Sequence, residues 1–277
     1  MNGSASPETF SVPSGSALLA GERFSAGPPM VCLHAGVADR RMYAGQMPGL
    51  AGDFEVLAYD RRGFGETRTD DEPFRHVDDL TRLIEATGID RPLLLGCSQG
   101  GRIAIDWALA HPGSVRGLIL VSTAVSGAPI EPLPADIQPL EDALDAADEA
   151  GDLERVNAIE AHLWLDGPRS PEGRVTGPLR DLFLDMNGIA LRHPPLTEEI
   201  GPPSAYDRLG ELDMPALLIH GTLDYPHIVA RHDELSGLIP NARTVACEGC
   251  AHLPPLESPD IVNAEILAFC RMQSLIP

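Results

Sequence analysis

An unbroken apolar run, Pro92-Leu93-Leu94-Leu95, passes into Gly96-Cys97-Ser98-Gln99-Gly100 and then into Gly101-Arg102-Ile103-Ala104-Ile105-Asp106-Trp107-Ala108-Leu109. The run has the length of a strand buried on both faces, and the apolar residues behind it recur at helical spacing. One serine therefore sits on a tight turn between a strand and a helix. The turn strains the serine backbone, and a side chain at either flanking glycine would crowd the strand or the helix. The hydroxyl stands at a helix N-terminus, where backbone N–H groups and the helix dipole favour developing negative charge.

The rest of the chain repeats this alternation. Thr9–Val12 and Ala17–Phe24 predict an antiparallel hairpin around Pro13-Ser14-Gly15. Buried strands are expected at 29–33, 54–59, 92–95 and 115–121, with helices around Met42–Leu50, Phe74–Thr87 and after Ser98. Such a pattern predicts an α/β fold with a mostly parallel sheet flanked by helices. Asp60-Arg61-Arg62-Gly63-Phe64-Gly65 superficially resembles a dinucleotide fingerprint. Arg68 occupies the place of its third glycine and no helix follows at once, so that reading is set aside.

From Ser122 to about Tyr206 the pattern changes. Acidic helical stretches (Pro134–Ala150, Leu153–Leu165, Gly177–Ala190) alternate with proline-rich connections, and no buried strand is evident. Leu163, Trp164 and Leu165, with Leu182, Phe183, Leu184 and Met186, need something to bury against, which disfavours a disordered loop. Residues 123–206 are expected to be a helical cap or lid inserted into a core made of 1–122 and 207–277. The sheet resumes at Pro215–Gly221 and again near Ala242–Ala246. The last helix starts at Ser258-Pro259 and is expected to bury Ile261, Ile266, Leu267 and Phe269.

Composition removes several chemistries. All 20 basic residues are arginine, so Schiff-base, pyridoxal-phosphate and P-loop lysine mechanisms are excluded. A net charge of −21 disfavours nucleic acid and anionic membranes as partners by long-range repulsion, and leaves a small neutral ligand open. With 27 glycines and 26 prolines the chain stays below the roughly 25–30% share that marks low complexity. No run approaches about 18 apolar residues, and Met1–Glu8 has neither a basic nor an apolar leader segment. The five cysteines are scattered in apolar contexts, which fits a reducing, cytoplasmic setting. Cys247-x-x-Cys250 lacks the partners of a zinc or redox site. His220, Asp224, His227 and His232 invite a metal reading, but His227 and His232 are five apart and miss the helical pairing; no metal is expected.

A serine hydroxyl needs a base to take its proton, and the base needs an orienting acid. In open α/β sheets such groups gather at the carboxyl ends of strands, and Ser98, Asp224 and His252 occupy such ends in that order. With these residues go His34-Ala35-Gly36, Asp60-x-Arg62-Gly63-x-Gly65, Gly221-x-x-Asp224 and Gly249-x-x-His252. Across nearly the full length the chain resembles the α/β-hydrolase superfamily, in the capped group whose helical insertion follows the sixth strand. The resemblance implies an α/β-hydrolase fold with Ser98 as nucleophile, His252 as general base and Asp224 as its orienting acid. It also implies an oxyanion hole made by the backbone N–H groups of Gly36 and Gln99. Ala35 stands where the family has a glycine, so Val37 is kept as the alternative donor. Trp164, Met186, Tyr225 and Leu253 are the expected pocket walls; His34, His220 and Cys97 are expected to be structural.

The expected function is that of a serine hydrolase. It would cleave a small neutral or apolar carboxylic ester or lactone through an acyl-enzyme intermediate, with no cofactor. The alternatives are C–C bond hydrolysis, a non-hydrolytic cyclisation or elimination on the same residues, and a binding module with an idle triad. An aspartate nucleophile, as a haloalkane dehalogenase would need, is absent because Ser98 fills that place. Neither the substrate within these classes nor the oligomeric state is written in the motifs.

Overall fold

A computed structural model describes residues 7–24, 26–197, 199–201 and 203–277. Met1–Ser6, part of the stretch read above for a leader, and Pro202 lie outside the described residues. β1 (Glu8–Ser14) and β2 (Ala17–Phe24) form the expected antiparallel hairpin, turned at Gly15 with φ of +55°. β3 (Pro29–Leu33) follows, and the helix expected over 42–50 is instead split. A 3-10 turn covers Arg40–Tyr43 and α1 is only Gln46–Leu50. Pro48 lacks the N–H that a continuous helix would bond to Ala44, which accounts for the break.

β4 (Glu55–Tyr59), α2 (His76–Thr87), β5 (Leu93–Cys97), α3 (Gln99–Ala110) and β6 (Gly117–Val121) continue the alternation. The chain then runs through α4 (Gln138–Glu149), α5 (Leu153–Glu160), a π-helical turn at Ala161–Asp166, and α6 (Pro178–Arg192). It returns to the sheet as β7 (Ala216–Gly221), α7 (Pro226–Leu238) and β8 (Ala242–Cys247). It closes with α8 (Pro254–Glu257) and α9 (Pro259–Met272). Among the described residues, no helix is long and apolar enough to cross a membrane.

The sheet has eight strands in the order β1-β2-β4-β3-β5-β6-β7-β8, parallel from β4 to β8 and antiparallel at the β1–β2 and β2–β4 pairs. Its central strands are buried on both sides, which is why they read as continuous apolar runs. Met30, Cys32, Leu93 and Leu95 face one layer, packed by Met47 and Leu50 of α1 and by Val262, Ile266 and Phe269 of α9. Val31, Leu33 and Leu94 face the other, packed by Leu80 and Leu83 of α2, Ile103 and Trp107 of α3, and Leu235 of α7. Each buried leucine or phenylalanine is worth roughly 1.5–3 kcal/mol over the exposed state.

α9 departs from expectation in one detail: Ile261 is 52% exposed and Val262 takes the inward position. Ser258 precedes Pro259 as predicted, but its hydroxyl bonds the Cys250 thiol at 3.2 Å and does not cap the helix. The helices between β6 and β7 build a smaller cluster of their own, in which Ile137, Ala147, Val156, Ile159 and Leu163 meet Tyr225 at the end of β7.

Candidate active site

Ser98 lies between the last residue of β5 and the first of α3, with φ +52° and ψ −116°. This is a strained conformation for a non-glycine residue, held by its surroundings. The Ser98 N–H donates to Val121 O at 2.8 Å, and its carbonyl accepts from Arg102 N at 3.1 Å and Ala124 N at 3.2 Å. The turn is tight because its glycines are bare. A Cβ on Gly100 would come within 2.0 Å of Leu33 O, and one on Gly96 within 2.5 Å of Gly100 O.

Asp224 and His252 are 28 residues apart and are brought together by another close approach. β7 ends at Gly221, where a Cβ would lie 1.9 Å from Ala251 O. Leu223 N–H donates to Cys250 O at 2.9 Å, so the two loops run against each other. The His252 ring bonds the Asp224 carboxylate through Nδ1, at 2.8 Å to Oδ2 and 3.1 Å to Oδ1. Asp224 Oδ1 also accepts the Tyr225 N–H at 2.7 Å, which fixes the carboxylate. With Nδ1 as donor to the acid, Nε2 is left to accept a proton. The carbonyl of His252 accepts the buried Cys97 thiol at 3.7 Å, so Cys97 packs beneath the site as a structural residue.

Ser98 and His252 open onto one cavity of about 360 Å³. Trp164 lines it as expected, its ring centroid 4.6 Å from that of His252 and tilted by 52°. The other walls differ from the sequence reading. Met186 and Leu253 are fully buried in the core, away from the cavity. Tyr225 packs behind Trp164 at 4.9 Å between ring centroids and donates its hydroxyl to Glu141. The walls are supplied instead by Val125 and Ala128–Glu131 after β6, by His227, Ile228 and Arg231 of α7, and by Ser122. Ile130, 97% exposed, marks the rim.

Ser122 shows how such a residue is found. It directly follows β6, the strand beside β5, carries φ of +44°, and its buried hydroxyl has no partner among the described residues. The rule that open α/β sheets gather their groups at strand ends points to it as directly as to Ser98. Residues 125–131 carried no such signal: which of them face the cavity depends on where α7 lies.

Among the described residues, no hydrogen bond joins Ser98 Oγ to the His252 ring. Gln99 is the first residue of α3, so its amide has no intrahelical acceptor. Gly36 sits in the loop after β3, where an added Cβ would be 3.4 Å from Gln99 Oε1, so this loop and the elbow are neighbours. His34 is buried under that loop. It accepts the Arg61 N–H on Nε2 at 3.0 Å and donates from Nδ1 to Ala35 O at 2.7 Å. Burial, followed by the Arg61 charge, pushes its pKa well down and keeps it neutral.

His220 and His232 are also structural. Their rings lie 5.4 Å apart, His232 Nε2 accepts the Thr123 N–H at 2.9 Å, and burial lowers the pKa of both. Among the described residues no three His, Cys, Asp or Glu side chains are grouped to hold a metal. Cys247 and Cys250 are buried free thiols, and burial raises both pKa values.

Comparison with known proteins agrees with this architecture. The α/β-hydrolase fold family model matches residues 28–164. The chain is 28% identical to a non-heme chloroperoxidase of Streptomyces lividans, over 80% of this chain and 83% of that protein. It is 26% identical to a pimeloyl-[acyl-carrier protein] methyl ester esterase of Aeromonas hydrophila, over 86% and 93%. An esterase from Rhodococcus sp. superposes with a TM-score of 0.77 at 24% identity, covering 97% of this chain and all of that one. The chain has the α/β-hydrolase fold, and its sequence is similar to that fold family over residues 28–164.

Proposed function

We propose that the protein is a serine hydrolase of small neutral or apolar carboxylic esters or lactones, working through an acyl-enzyme. The observation that carries this reading is the His252 Nδ1–Asp224 bond of 2.8 Å beside a serine on a strained strand-to-helix turn, with serine and imidazole on one cavity wall.

Ser98 Oγ attacks the carbonyl carbon as His252 Nε2 takes its proton, and Asp224 holds the imidazole in the tautomer this requires. The carbonyl oxygen becomes an oxyanion facing the amides of Gly36 and Gln99. Collapse breaks the ester bond, and the alcohol leaves with the proton from His252. Water then attacks the acyl-enzyme, giving its proton to His252, and the acid departs as Ser98 recovers its proton. A cavity of about 360 Å³ walled by Val125, Ala128, Pro129, Ile130 and Ile228 supports a small, largely apolar substrate. The esterases among the relatives support the same reaction class. We read residues 123–206 as a cap on this site, supported by Trp164, which stands over the His252 ring.

The test is turnover of p-nitrophenyl acetate and butyrate, with fluorophosphonate labelling of wild type, Ser98→Ala and His252→Ala. Turnover and labelling are expected to vanish in the Ser98 variant and to collapse in the His252 variant. Ester turnover that survives Ser98→Ala rules the reading out. A C–C bond hydrolase would label equally well but would prefer a 1,3-diketone over every ester offered.

A further inference from the structure

Arg61 stands behind the proposed oxyanion loop and, among the described residues, forms no ion pair. Arg62, next in sequence, pairs with Asp79 at 2.9 Å and Glu72 at 2.7 Å, and nearby Arg40 pairs with Asp60. Arg61 is 1% exposed, and among the described residues no carboxylate oxygen lies within 4 Å of its guanidinium. Its Nη1 donates to Gln99 Oε1 at 2.6 Å, its Nη2 donates to Ala35 O at 3.1 Å, and Nε has no partner among the described residues. The face of the group lies 4.5 Å from the Phe64 ring. Desolvation brings its pKa down to about 10, which leaves it charged at neutrality. An unpaired buried cation is costly, and such groups concentrate where the charge is used.

The two acceptors explain the use. Ala35 C=O and Gly36 N–H are opposite ends of one peptide unit. The His34 ring and the Arg61 guanidinium both donate to that carbonyl oxygen, which polarises the peptide, strengthens its N–H as a donor and fixes its plane. The same guanidinium holds the side chain of Gln99, whose own amide is the second donor. We infer that Arg61 is the positioning residue of the oxyanion hole, clamping the Ala35–Gly36 peptide to Gln99 and setting a full positive charge behind both amides.

This inference rests on the hydrolase reading above, and the experiment separates the two. Steady-state kinetics on p-nitrophenyl butyrate and inhibition by an alkyl trifluoromethyl ketone, which forms a tetrahedral oxyanion on serine, are compared for wild type, Arg61→Met, Arg61→Lys and Gln99→Met. Removing one oxyanion donor typically costs 10²–10³ in kcat, so Arg61→Met is expected to lose roughly 30- to 100-fold. Its KM should move by less than about threefold, while ketone affinity falls in step with kcat. Arg61→Lys keeps the charge but not the fork, and Gln99→Met keeps the amide but not the clamp; each is expected to lose roughly tenfold. Wild-type kcat and ketone affinity in the Lys and Gln99 variants overturn the inference, even where Arg61→Met does not fold. Loss of kcat without loss of ketone affinity overturns it too, since a merely structural role would not track the oxyanion. Absence of Ser98-dependent turnover in the wild type sinks both readings, whereas intact turnover that ignores Arg61 sinks this one alone.

Discussion

The carbonyl oxygen of Trp164 accepts the backbone N–H of His252 at 3.2 Å, while the Trp164 ring lies 4.6 Å from the imidazole. One residue of the segment between β6 and β7 thus holds both the main chain and the ring of a residue from the far end of the chain. Trp164 can do so because it lies in the last turn before Gly167, where carbonyls have no intrahelical donor.

Trp164→Ala removes the ring contact but not the carbonyl. It is expected to lower kcat/KM for p-nitrophenyl butyrate by roughly 10- to 100-fold, because a histidine displaced by about 1 Å loses productive geometry. Trp164→Phe keeps an aromatic face and should retain most of the activity. Equal rates in all three proteins would show that the ring contact has no part in placing His252.

Arg174 ties the same segment to the His252 loop. It donates to Leu165 O and Asp166 O at 2.6 Å, to Gly249 O at 2.9 Å and to Glu257 at 2.5 Å; Glu257 in turn accepts the Ala251 N–H at 2.7 Å. Removing the guanidinium leaves Glu257 buried without its counter-charge. Arg174→Ala should cost about 3–5 kcal/mol in urea unfolding, the range for breaking a buried pair from one side. A cost below about 1 kcal/mol would mean that Glu257 finds another partner.

Buried neutral histidines set the acid limit of the fold. Burial lowers the pKa of His34 and His76 well below the ordinary 6.5, and that of His232 to about 3. Each is neutral when folded and takes up a proton when unfolded below pH 6.5. Their stabilisation is therefore complete above that pH and lost as pH falls toward the folded values. His232 should contribute a loss of about 2 kcal/mol between pH 7.5 and 5, and His34 and His76 act in the same direction. Urea midpoints measured across that range should fall, and His232→Gln should flatten the slope. A flat series would contradict the burial of these rings.

Glycine positions divide by the space around them. Gly221→Ala would drive a methyl into Ala251 O and is expected to destabilise by about 3 kcal/mol or more and to separate Asp224 from His252. Gly237 lies in α7 with open space around it, and Gly237→Ala should stabilise by about 0.5–1 kcal/mol. Melting temperatures of the two variants should move in opposite directions; a shift of like sign would refute the steric account.

Periodicity and strand-end rules located the sheet and the turn that carries Ser98, and placed Asp224 and His252 in loops at strand ends, because those signals are local. Pro48 was a local signal as well, and it explains the broken helix near residue 45. Ile261 was misplaced because apolar residues at 261 and 262 fit the helical stripe equally, and only the packing of α9 on the sheet selects Val262. The pocket walls failed for a similar reason. Met186 and Leu253 are apolar residues that suit either a cavity or a core, and the choice depends on neighbours distant in the chain.

The sequence by itself determined the alternation of strand and helix, and with it a parallel sheet buried on both faces and a serine at a strand's carboxyl end. These follow from hydrophobic periodicity and from the backbone freedom of glycine, both properties of short segments. Only the tertiary structure decided that His252 bonds Asp224, that Trp164 braces it, and that Arg61 lies buried against Ala35 and Gln99. Distances of about 3 Å between residues tens to hundreds of positions apart are set by how packed layers meet, and no local pattern encodes them.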